Sequence, residues 1–223
     1  MNFSIRLKTW LGVALTLTLA ACSSGPKPAD WQLEAKGAME RSVAAYLEGN
    51  SRVEAVEFAR ARVEISSTGR VDLMAKAELL HCASHVASLV FEPCAGFEKL
   101  RQDAPPAERA YADYLAAKLQ PQDAALLPPQ QRAAASASDA AIKGITDPLS
   151  QLVAAAVAFQ TGRGSPAGVQ LAVDAASAQG WRRPLLAWLG VQADLAEKSG
   201  DSQQAARLRR RIELTQGDLN ATR

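Results

Sequence analysis

Two dipeptides, Asp147-Pro148 and Ser165-Pro166, and three glycines, Gly162, Gly180 and Gly200, leave the last third of this chain little choice but short helices of fixed register. Each dipeptide sets a side chain able to accept from a free backbone N–H directly before a proline, and proline at the first helical position forfeits no hydrogen bond. Glycine tolerates the left-handed conformation that ends a helix. The pattern predicts helices over 148–160, 166–178, 181 or 182 to 198, and 202–214, with Asp201 capping the last. Connections this short force neighbouring helices to lie antiparallel.

Similar spacing continues upstream, and no run reads as a strand. A first helix is expected over 31–48, ended by Gly49, and Ser51-Arg52-Val53-Glu54 has the spacing of a capping box opening a second over 52–65. Apolar periodicity puts Val53, Val56, Ala59 and Val63 of that helix inward. A third helix runs from 71 into the eighties, showing Leu73, Ala77, Leu80 and Val86. The middle is less regular: short helices are expected over 96–101, 107–119 and 133–142, interrupted by Pro93, Pro121, Pro128 and Pro129. Aromatic residues make up only 5% of the chain and alanine is abundant, which favours closely approaching helices. The expected fold class is all-α, built from antiparallel hairpins. The subdomains are 31–120 and 148–216, with a hinge over 121–147 and a disordered tail over 217–223.

Gln160-Thr161-Gly162 with Ala167 matches Lys198-Ser199-Gly200 with Ala205, and Glu48-Gly49 with Ala55 is a looser echo. Small residues precede two of these turns, at Ala155 and Ala193. The last seventy residues or so thus resemble the tetratricopeptide helical hairpin, which implies stacked helix pairs. The pattern departs from that family at Ala154, Gln192 and Arg209. An irregular α-bundle is the other arrangement open to these helices.

At the other end, Arg6 and Lys8 precede the apolar run LGVALTLTLA, and Leu19-Ala20-Ala21-Cys22 closes it. The run is too short to span a bilayer once mature. It resembles the signal and lipobox of bacterial lipoproteins. That resemblance implies cleavage of 1–21, acylation of Cys22, a tether over 22–30, and a membrane partner reached through the lipid. Ser23 stands where an Asp would favour the inner membrane, so the expected address is the outer membrane, facing the periplasm. Loss of Arg6 and Lys8 reduces 25 basic side chains to 23, equal to the 23 acidic ones, so the sequence pI of about 8.5 gives no reason to expect nucleic-acid binding.

With Cys22 lipidated, Cys82 and Cys94 remain in an oxidising compartment, either bridged or as two buried thiols. A bridge is comfortable only if the third helix ends near Ser88, because the intervening chain must fold back to bring the Cα atoms within about 7 Å. Glu78, His81 and His85 project from nearly one face of that helix and are the candidate metal ligands. No HExxH, paired CxxC or GxSxG motif accompanies them, and Gly162-Arg163-Gly164-Ser165-Pro166 lacks the ending of a phosphate loop. Neither catalytic residues nor a cofactor are therefore expected. Trp181, Leu185, Trp188 and Leu189 read as a core stripe. Arg207, Arg209, Arg210 and Arg211 read as a solvated helix end or an anion- or partner-binding patch. The expected function is a lipid-anchored periplasmic adapter binding another cell-envelope protein. The alternative is a ligand- or metal-binding lipoprotein using Glu78, His81 and His85 or an apolar cavity between helices.

Overall fold

The computed structural model describes residues 27–136 and 138–220. The signal segment, Cys22, the first part of the tether and the last three residues lie outside the described residues. Eleven α-helices and one 3-10 turn follow in order: α1 (Asp30–Glu48), α2 (Ser51–Ser66), α3 (Val71–Ala87), α4 (Ala95–Glu98), α5 (Pro106–Leu115), the 3-10 turn Pro121–Leu126, α6 (Pro129–Ala134), α7 (Asp139–Lys143), α8 (Pro148–Gln160), α9 (Pro166–Gln179), α10 (Arg182–Lys198) and α11 (Ser202–Asn220). The fold is all-α. No described helix is long and apolar enough to cross a membrane.

The C-terminal punctuation works as its chemistry dictates. Asp147 accepts from the backbone N–H of Ser150, Ser165 from that of Gly168 and Asp201 from that of Gln204. Gly180 ends α9 in the left-handed region at φ 67°, returning its N–H to Ala176 and Ser177. Helix α11 continues beyond Leu214 to Asn220, so residues 217–220 extend the helix. The small residues are packed at Ala155, Ala193 and Ala205 but open at Ala55 and Ala167, so the echoed alanines do not share one environment.

Helix α3 is the hub, touching α1, α2, α4, α5 and α8. It buries residues on several sides, among them Ala75, Leu79, Ala83 and Val86, which is why no single apolar stripe describes it; Leu80, expected inward, is exposed. One continuous core runs from Ala75 on α3 to Leu208 on α11. Residues 121–147 contribute Leu127, Ala134, Ile142 and Ile145 to it. Trp188 is 0% exposed and its indole N–H donates to the carbonyl of Ala87, fastening α10 across the end of α3. Leu185 and Leu189 are buried beside it, while Trp181 is half-buried.

Two local expectations change. The helix expected over 133–142 is two, α6 and α7, because the Ser138 hydroxyl accepts from Ala141 N–H and restarts the chain. Helix α2 is turned by half a revolution from the expected orientation. Its buried side is Glu54, Ala61 and Ile65, with Phe58 half-buried, whereas Val53, Val56 and Val63 are 41%, 60% and 67% exposed and Ala59 also faces solvent. The two sets lie on opposite sides of the helix at about 100° per residue. The start of α2 explains the difference. Asn50, not Ser51, is the cap: its side-chain carbonyl accepts from Val53 N–H at 3.1 Å. The expected capping box is not formed, which releases Glu54 to the interior.

Candidate functional site

Helices α1, α2 and α3 meet over a small apolar cluster of Ala35, Ala38, Met39, Ala61, Ile65 and Ala77. Above it the packing turns polar. Ser42 of α1 is fully buried and donates to the carbonyl of Glu54 at 3.1 Å, a close approach that a larger side chain would prevent. This contact holds the first turn of α2 against α1 and aims the Glu54 carboxylate at α3. There His81 Nε2–H donates to Glu54 Oε1 at 2.5 Å, and His85 Nε2 stands 3.8 Å from the same oxygen.

Each imidazole lies flat on an aromatic ring. His81 stacks on Phe58 with centroids 4.1 Å apart, and His85 on Tyr46 at 4.0 Å; the two imidazole centroids are 4.6 Å apart. Such stacking fixes ring orientation, since rotation about χ2 would lose the face-to-face contact. Arg183, at the start of α10, covers the far side of Tyr46 with its guanidinium 4.2 Å from the ring centroid. It donates to the Tyr46 carbonyl and to the Ser51 hydroxyl, each at 2.7 Å. Ser51 thus joins α2 to α10 instead of capping its own helix.

Burial lowers the pKa of His85 below the ordinary 6.5, assisted by repulsion from His81 and Arg183 and opposed by Glu54. Its Nε2 is buried and has no hydrogen-bond partner among the described residues. Leaving such an atom unsatisfied costs about 1–3 kcal/mol. Burial also raises the pKa of the Tyr46 phenol, partly offset by Arg183.

Of the expected trio, His81 and His85 come together and Glu78 does not join them. Glu78 turns to Arg62, with Oε1 3.2 Å from the guanidinium, and presses on α4. A Cβ at Gly96 would stand 1.9 Å from Glu78 Oε2, so any larger residue there would displace the Glu78 carboxylate. Glu54 takes the place expected of Glu78: its carboxylate and the two imidazoles place ligand atoms within 4.8 Å of one another. The capping-box spacing of Ser51 and Glu54 masks this role in the sequence. The stripe Glu54, Phe58, Ala61 and Ile65, spaced by four, three and four, was the signal that would have found it.

Cys82 and Cys94 form a disulfide with Cα atoms 5.8 Å apart. The reversal that permits this begins at Ser88, where α3 ends, with Leu89 adopting φ 60°. The bridge walls a cavity of about 280 Å³ that is also lined by Phe58, Arg62, Glu78, His81 and His85. Of the C-terminal arginines, Arg209 pairs with Glu197, Arg211 donates to the Ser177 hydroxyl, and Arg207 and Arg210 face solvent. No protein-family model, curated protein or solved structure matches the chain.

Proposed function

We propose that this chain is a lipid-anchored, non-catalytic adapter, tethered through acylated Cys22 to the periplasmic face of the outer membrane, whose helices bind another cell-envelope protein. The observation that supports this reading best is the outer face of α2. Val53, Val56, Ala59 and Val63 form an apolar stripe open to solvent, on the side of α2 away from its main packing partners, α1 and α3. A contiguous apolar strip on a well-packed helix is the kind of surface that a partner covers. The lipobox-like Leu19-Ala20-Ala21-Cys22 supports the address, and residues 23–29 supply a short Pro- and Gly-containing spacer.

Photo-crosslinking residues placed at Val56 and Val63 in cells test the partner. The expected result is a crosslinked adduct with one envelope protein from both positions and none from Glu40, an exposed position on α1. Absence of any adduct overturns the adapter reading. Cys22→Ser is expected to abolish palmitate labelling and to release the protein from the membrane fraction.

A further inference from the structure

We propose that Glu54, His81 and His85 form a binding site for a divalent transition-metal ion, with zinc the best match. Two imidazole nitrogens and one carboxylate oxygen suit zinc better than magnesium or calcium, which prefer all-oxygen shells. The ligands are drawn from two helices, and His81 and His85 stand one turn apart on α3, the spacing that lets both rings reach one ion.

The geometry requires little movement. Tetrahedral coordination with bonds of about 2.0–2.2 Å sets ligand atoms about 3.3 Å apart. The His81 Nε2 to Glu54 Oε1 separation is 2.5 Å and that from His85 Nε2 is 3.8 Å, so the first pair opens and the second closes, each by less than about 1 Å, while the two imidazole ligand atoms, within 4.8 Å of one another, close by about 1.5 Å at most. The metal would replace the proton that now joins His81 to Glu54, with the His81 ring changing to its Nδ1–H tautomer. It would also give a partner to the buried His85 Nε2, which has no hydrogen bond among the described residues. The stacked faces of Phe58 and Tyr46 already hold both rings in place, so little rotamer freedom is left to lose. The cavity bordered by His81 and His85 leaves room for water as a fourth ligand. Such a centre pins α2, the helix with the exposed valines, to the hub helix α3.

The test uses the untagged mature lipoprotein in detergent, with its disulfide intact. Titration with Zn2+ is expected to show one ion per chain, and Co2+ to give the visible absorption of a tetrahedral nitrogen and oxygen site. Glu54→Gln and His85→Asn should each weaken binding at least about tenfold. Because the chain contains only 2 histidines, diethylpyrocarbonate labelling of the wild-type protein reads the site directly. One equivalent of Zn2+ should protect both rings, and this result stands even if a variant fails to fold. Unprotected histidines in saturating Zn2+, or affinity unchanged in folded variants, would overturn the proposal. Val56→Asp, which should abolish docking on α2, is expected to leave Zn2+ binding intact, so failure of the adapter reading and failure of the metal site are distinguishable.

Discussion

The corner formed by α1, α2 and α3 and the half formed by α8 to α11 are both helices joined by short turns, yet they are built on opposite principles. The described residues of α8 to α11 bury apolar side chains and small spacers, from Leu152 and Val153 through Trp188 to Leu208. The buried polar side chains among the described residues are Ser42, Glu54, Glu78, Ser84, Ser88, Glu108 and Gln131, all upstream of α7. An apolar core needs only volume and shape to match, whereas every buried polar group needs a partner with defined geometry. The C-terminal half is therefore specified by pattern and the corner by individual contacts, which is why chemistry can concentrate in the corner.

Substitutions can break that contrast. Trp188→Ala removes the largest fully buried side chain and its bond to Ala87, and a loss of about 4 kcal/mol is expected by urea denaturation. A small loss would mean that the C-terminal half is not held by its apolar packing. Cys94→Ser opens a short loop closed onto α3, and the expected cost is about 3 kcal/mol, matched by adding reductant to the wild-type protein. If reductant changes nothing, the corner does not depend on this constraint. Ser165→Ala takes away both the cap on Gly168 and the donor to Asp139, for about 1 kcal/mol, measured as a shift in thermal midpoint.

The smallest effect is one of pH, and it belongs to the corner. His85 binds its proton less readily folded than unfolded, so below about pH 6.5 the unfolded chain takes up more protons and stability falls as pH falls. Urea midpoints at pH 7.5 and 5.5 should therefore differ more for wild type than for His85→Asn. Equal differences would show that His85 does not contribute to the acid sensitivity of the corner.

Legibility in the sequence follows the same division. Pro148, Pro166, Gly180 and Asp201 mark their helices by local backbone chemistry, and the starts of α8, α9 and α11 were accordingly readable residue by residue. The Cys82–Cys94 pairing was readable as a possibility, because end-to-end reach is a local quantity and α3 had only to stop near Ser88. For the candidate site, the two histidines were legible and their carboxylate was not. Asn50 and Ser51 are equally competent caps, and no local rule decides between them. The choice turns on Ser51 having a better partner in Arg183, 132 residues away, and on Glu54 meeting Ser42 and His81.

What the sequence determined by itself was therefore helix content, most helix boundaries in the last third and the neighbour relations that short turns impose, all consequences of bonds within a few residues. Tertiary structure alone decided which side of α2 is inside. That face is set by the sum of contacts from α1, α3 and α10, and a helix carrying an apolar stripe on each side has no internal reason to prefer one. Here the mixed stripe with Glu54 and Phe58 went in, since buried partners satisfied its carboxylate, and the valine stripe was left to the solvent.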